Sequence, residues 1–164
     1  MEKEIISVKE LLSLDGLTIP EYQRPYKWTI KNVNQLIDDV LFFNDKVAYR
    51  LGTLVLHKEL KDDKSNTLNI VDGQQRTITL LLIALAISKV KEHELNQLKE
   101  TYSEDELKGY FPTIDKWEFT NEVTKSNIQN NYREIERRVE CPHFNGDFLS
   151  LKMRGFHGTI YPRI

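Results

Sequence analysis

The 164-residue chain is 40% hydrophobic and 29% charged, which suits one globular domain able to bury a core and excludes a disordered polar chain. A net charge of -2 and a pI near 6.1 exclude a protein that coats nucleic acid through its overall field, leaving only a local basic groove. Cys141 is the single cysteine, so an intramolecular disulfide and a cysteine metal cluster are excluded and a reducing compartment is favoured.

Met1-Glu2-Lys3-Glu4 lacks the basic and apolar regions of a signal peptide, and the apolar stretch Ile78 to Ile87 is too short to span a bilayer. A cytoplasmic protein without a membrane partner is expected. Ser7 and Glu10 have capping-box spacing, and Val8, Leu11, Leu12 and Leu14 form an apolar stripe, which predicts a short first helix stopped at Asp15-Gly16. Leu17-Thr18-Ile19 reads as a brief strand ending at Pro20.

In Ile19-Pro20-Glu21-Tyr22-Gln23-Arg24-Pro25-Tyr26-Lys27-Trp28 two prolines forbid a regular helix, and three aromatics crowd a polar loop. Such a loop holds Gln23 and Arg24 between rigid neighbours and presents a guanidinium at low entropic cost. The alternative is that Tyr22, Tyr26 and Trp28 only pack the loop down while Arg24 makes a structural ion pair. Thr29 then caps a helix from Ile30 to Phe43, with Val33, Leu36, Ile37, Val40 and Leu41 at helical spacing and Trp28 and Val33 placed for a hydrophobic staple. Asp38 and Asp39 fall off that stripe. Adjacent helical residues diverge by about 100°, so the pair reads as a solvated face before it reads as a metal or acid/base site.

Tyr49 to His57 contains the β-rich run Leu51-Gly52-Thr53-Leu54-Val55-Leu56, and Leu68 to Val71 is a second strand. The polar tract Lys58 to Thr67 between them predicts a long hairpin connection. Gly52 inside a strand signals a bulge or a close approach by a ligand, and His57 has no partner at metal-ligand spacing.

Ile70 to Leu85 reads as a buried strand, a tight polar turn and a wholly apolar helix. A strand feeding a helix through one glycine leaves the first helical N–H groups without internal partners, and with the helix dipole these make a ready anion site. Gly73 lets a ligand approach the main chain, Arg76 offers a planar fork for phosphate or carboxylate, and Asp72 ends the strand. Asp72 there holds a metal-bound water, takes a ribose hydroxyl or simply caps the helix; an Asp-Gly pair before a helix is commonly only a cap and turn.

The helix runs on into the charged stretch Lys91 to Glu100. Ser103 and Glu106 have capping-box spacing, Phe111 to Phe119 reads as extended, and Thr124 or Ser126 caps a helix through Val139 with Ile128, Tyr132, Ile135 and Val139 on one face. Arg133, Arg137 and Arg138 lie on its polar side, as a solvated surface or a phosphate-contacting patch. Beyond Cys141, glycines 146, 155 and 158 and prolines 142 and 162 leave no clear helix, and His143 and His157 are not spaced as a nuclease metal site. Three segments are expected: a core over 1–90, a helical extension over 91–140 and an irregular tail over 141–164, the last either a folded extension or the end of a truncated larger protein.

The loop Ile19 to Trp28, the strand Leu51 to Leu56 and the turn Asp72-Gly73-Gln74-Gln75-Arg76 together resemble the N-terminal domain of GmrS-type proteins, the nucleotide-using parts of bacterial modification-dependent restriction systems. The resemblance covers roughly residues 10 to 90. It implies an α+β fold with a small mixed β-sheet and packed helices, of the ParB/sulfiredoxin-like kind. It also implies that the Asp72 to Arg76 turn binds a nucleoside triphosphate (GTP, UTP or ATP) with Mg2+ and supports its hydrolysis. The implied partners are modified phage DNA and an HNH-type nuclease region further along a longer chain or on a partner, since no HNH pattern occurs here; a homodimer is compatible with this.

Carried over by position, Gln23, Arg24, Gly73, Gln74, Arg76 and Thr77 are expected to bind the nucleotide, and Asp72, Gln75 and Arg76 to act in catalysis. In these roles Arg24 and Arg76 clamp phosphate, Asp72 positions water or magnesium, and Gln75 orients an attacking water. There is no Walker-type loop, and no cysteine near the glycine turn to serve a sulfiredoxin-like reductase. A ParB-like DNA-binding module without hydrolysis and an inactive fragment are the competing expectations.

Overall fold

A computed structural model describes residues 4–12, 14–20, 22–43, 49–60, 66–97, 121–140 and 156–163. In chain order these form β1 (Glu4–Ser7), α1 (Val8–Leu12), β2 (Leu17–Thr18), α2 (Ile30–Phe42), β3 (Tyr49–Leu60), β4 (Asn66–Asp72), α3 (Gln74–Gln97), α4 (Glu122–Val139) and β5 (Phe156–Arg163). The strands make a 5-stranded sheet in the order β1-β5-β3-β4-β2. β3 pairs antiparallel with β4 and parallel with β5, β2 runs parallel to β4, and β1 closes the other edge antiparallel to β5. The architecture is α+β with a mixed sheet and packed helices, as the sequence leads one to expect.

Local chemistry explains most boundaries. Ser7 and Glu10 form the reciprocal box at the start of α1: the Ser7 N–H and hydroxyl donate to Glu10 Oε2 at 2.6 and 2.7 Å, and the Glu10 N–H donates to Ser7 Oγ at 3.2 Å. At α2 the Asn32 side-chain oxygen accepts from the Thr29 N–H and hydroxyl, each at 3.0 Å, while Val33, Leu36, Ile37 and Val40 turn inward at helical spacing. These join Tyr26, Ile78 and Ile135 in the larger apolar cluster, with Trp28 packed against it; Ile6, Leu11, Leu54, Leu56 and Ile70 form a second. α3 is buried at every position from Thr77 to Ala84, which is how an all-apolar helix enclosed by other elements behaves.

The structure departs from the sequence expectations in four places. The hairpin connection is shorter than the polar tract suggests, because pairing continues outward from His57↔Asn69 to Leu60↔Asn66, and residues 61–65 lie outside the described set. α4 is capped by Asn121, whose side chain accepts from the Thr124 N–H at 3.1 Å, and not by Thr124 or Ser126. Residues 156–163 of the expected irregular tail form β5, seated between β1 and β3, where Gly158 and Pro162 had masked the β-formers Thr159, Ile160 and Tyr161. β1 carries no turn or alternation signal of its own and is held by its register on β5. The expected elements at Ser103 and at Phe111 to Phe119 lie outside the described residues.

Several charged residues prove to be structural. Asp38 accepts from Arg138 at 2.6 Å, Asp39 accepts from Gln35 at 2.8 Å, and Arg137 grips Glu134 at 2.7 and 2.9 Å. Arg138 and Arg137 therefore belong to the α2–α4 seam and its rim and not to an open phosphate patch. Among the described residues no group of three His, Cys, Asp or Glu is placed to hold a metal, and no helix is long and apolar enough to cross a membrane.

Candidate functional site

β4 ends at Asp72, and the chain enters α3 through Gly73 at φ 90°. Two constraints demand glycine there. The backbone is in the left-handed half of conformational space, and a Cβ would sit 2.9 Å from Leu54 Cδ1 and 3.1 Å from the Thr53 carbonyl oxygen. The first helical bond runs from the Thr77 N–H to Gly73 O at 3.0 Å, and the Thr77 hydroxyl donates to the same oxygen at 3.0 Å. The N–H groups of Gln74, Gln75 and Arg76 precede that bond, so the helix itself supplies them no acceptor.

Arg76 is half-buried and folds back over β3. A Cβ on Gly52 would lie 2.6 Å from Arg76 Nη1 and 3.1 Å from its Cζ, so the space beside Gly52, where the sequence suggested a bulge or a ligand, is taken by this guanidinium. Gly52 also sits at φ 122°, beside the register shift in the β3–β5 ladder. Among the described residues no carboxylate pairs with Arg76. The guanidinium lines a small, half-open cleft between the β1–α1 junction at Ser7 and Val8, β3 at Gly52 and Thr53, and the start of α3 at Gly73, Arg76 and Thr77. Leucine side chains form much of its remaining wall.

The other expected site residues lie on the loop side of the turn. Gln23 Nε2 donates to Val71 O at 3.3 Å, and Gln74 Nε2 donates to Arg24 O at 3.1 Å. Gln75 is 6% exposed; its Oε1 accepts from the Lys27 N–H at 2.7 Å and the Trp28 N–H at 3.2 Å, and its Nε2 donates to Pro25 O at 3.1 Å. An oxygen already accepting two bonds has no lone pair left to orient water. In this structure Gln75 ties the start of α3 to the loop. Asp72 and Arg24 are exposed, and neither lines the cleft, so the structure does not bring Arg24 into the cleft with Arg76.

Sequence reasoning offered Tyr26 as packing for this loop but missed Thr124, Asn127 and Asn131, the α4 residues that hold it from beneath. Tyr26 is fully buried, its N–H donates to Thr124 Oγ1 at 3.0 Å, and its carbonyl accepts from Asn127 at 2.9 Å. Asn131 donates to Trp28 O at 2.7 Å and to the Tyr26 phenol at 3.0 Å. Because the Thr79 hydroxyl gives its proton to Gln75 O at 2.9 Å, the Tyr26 phenol must donate in its 2.8 Å bond to Thr79 Oγ1. Burial pushes the Tyr26 phenol above its ordinary pKa, against the pull of its bonds to Thr79 and Asn131. The polar spacing Thr124, Asn127, Asn131 along one helical face was the available signal.

A metal requirement is compatible with one carboxylate. Mg2+ accompanying a polyphosphate usually takes one or two carboxylates and keeps phosphate and water as its other ligands, a set that exposed Asp72 fits. The family model described as GmrSD restriction endonuclease, N-terminal domain, matches residues 8–151. No curated protein matches the chain.

Proposed function

The chain belongs to the family of GmrSD restriction endonuclease N-terminal domains, and on that premise we propose that it binds a nucleoside triphosphate at the Gly73–Thr77 turn and hydrolyses it. In this reading the hydrolysis licenses cleavage of modified phage DNA by a nuclease region elsewhere in the system. The observation that carries it is Arg76, a half-buried cation without a carboxylate partner among the described residues, lining a cleft at a helix start whose first N–H groups have no acceptor within the helix. A half-buried guanidinium with no carboxylate beside it favours an anionic ligand, and a polyphosphate in the cleft would supply one.

The chemistry assigned to these residues is modest. Arg76 and the N–H groups of Gln74, Gln75 and Arg76 hold the terminal phosphates and stabilise the charge that develops on them. Asp72 would hold a Mg2+ ion, which would supply further charge neutralisation. Water attacks the γ-phosphorus and forms one P–O bond as the bond to the bridging oxygen breaks, releasing nucleoside diphosphate and phosphate. Asp72 orients that water. Gln23, Gln74 and Gln75 keep the loop and the turn in register, so that exposed Arg24 meets the outer part of the nucleotide.

The test is magnesium-dependent phosphate release by the 164-residue chain. Turnover lost in Arg76→Ala and Asp72→Ala, both still folded by circular dichroism, supports the reading. Unchanged turnover in both variants rules it out. Steeply salt-dependent DNA binding with no nucleotide binding favours the ParB-like DNA-binding reading instead.

A further inference from the structure

The loop from Arg24 to Trp28 belongs to no sheet, yet its backbone is hydrogen-bonded almost as a strand would be. Its partners are side chains of two helices. From α3, Gln74 and Gln75 take Arg24 O, Pro25 O, Lys27 N–H and Trp28 N–H. From α4, Thr124, Asn127 and Asn131 take Tyr26 N–H, Tyr26 O and Trp28 O. The two sets overlap at Tyr26, whose phenol joins Thr79 of α3 to Asn131 of α4.

We infer that α4 is a positioning element of the nucleotide site, with Thr124, Asn127 and Asn131 setting where the loop holds Gln23 and Arg24 against the Asp72 turn. This rests on the nucleotide reading proposed above. Three observations carry it. The α4 residues recur at the i, i+3, i+7 spacing of one helical face, so a single helix position serves all three bonds. Asn131 is 1% exposed and Thr124 4%, so the Asn131 Nδ2 and Thr124 Oγ1 that bond the loop are shielded from water. The loop bonds tie α4 to residues about a hundred positions earlier, which follow within five positions the Gln23 that reaches Val71 O. A displacement of α4 would release loop groups that nothing else among the described residues satisfies.

The paired variants Thr124→Val and Thr124→Ser separate positioning from packing, since valine keeps the shape without the acceptor and serine keeps the acceptor. Asn131→Asp removes the donor at nearly constant volume. Hydrogen exchange of the loop amides and kcat/KM for the nucleoside triphosphate are read in the full chain. In Thr124→Val and Asn131→Asp, exchange at Tyr26, Lys27 and Trp28 should accelerate about tenfold or more while α2 amides keep their protection. There kcat/KM should fall at least tenfold, mainly through KM, and Thr124→Ser should restore both. Unchanged loop exchange in both variants overturns the inference, as does a loss of activity that tracks only the unfolded fraction. The exchange arm requires no nucleotide, so a chain that never turns over nucleotide contradicts the proposed function without deciding whether α4 holds the loop.

Discussion

Arg76 and Gly52 act as one unit across the α3–β3 contact. The glycine leaves room for the guanidinium, and the guanidinium fills space that any Cβ would claim. Gly52→Ala should therefore behave as a functional substitution as well as a strained one. The positive φ alone predicts a loss of about 1–3 kcal/mol in stability, and the displaced guanidinium predicts nucleotide affinity as weak as in Arg76→Ala. In the double variant the steric part of the Gly52→Ala penalty should vanish, so a thermodynamic cycle of chemical denaturation will show coupling between the two positions. Full additivity would mean that Arg76 does not lie over Gly52. Arg76→Ala itself should lower kcat/KM by about 10²–10³-fold, the range for removing one donor to developing charge. Gln75→Leu should act differently, unfolding at lower denaturant by about 1–3 kcal/mol because it strands the Lys27 and Trp28 N–H groups.

Among the elements, the loop between β2 and α2 and the helix α4 depend on each other through Tyr26. Tyr26→Phe removes the phenol that links Thr79 to Asn131 and should cost about 1–3 kcal/mol, since Asn131 loses a buried acceptor. The same variant changes the alkaline limb of stability. The folded phenol titrates above its ordinary value, so above about pH 10 the unfolded chain has lost a proton that the folded chain keeps, and unfolding becomes easier as pH rises. Phenylalanine should flatten that part of the decline. On the acid side the seam between α2 and α4 works in the opposite sense. Arg137 holds the Glu134 carboxyl below its ordinary value, with Asn34 donating at 3.1 Å. That contribution is complete above the ordinary carboxylate range and disappears as pH falls through the lowered value. Glu134→Gln should lessen the acid sensitivity measured by denaturant titration between neutral pH and pH 3.

In the whole molecule, the parts legible from sequence are those whose signals are local. The Ser7–Glu10 box, the stripe of α2, the β3–β4 hairpin and the glycine entry to α3 each carry their cause within a few residues. The site was legible to the same extent: Gly73, Arg76 and Thr77 do line a cleft, whereas the jobs of Gln75 and Asn131 depend on contacts across 50 and 103 positions that no local pattern encodes. β5 was illegible for a related reason, because its glycine and proline obscure a strand whose place depends on β1 and β3 together. Ending the chain at residue 155 removes the partner on which β1 and one edge of β3 pair, and should abolish a cooperative thermal transition. The measurement that tests the central claim most directly is calorimetric titration of the chain with ATP, GTP and UTP, with and without Mg2+. Magnesium-dependent binding of at least one of them, lost in a folded Arg76→Ala variant, is the predicted result; no binding of any, or equal affinity in that variant, contradicts the account.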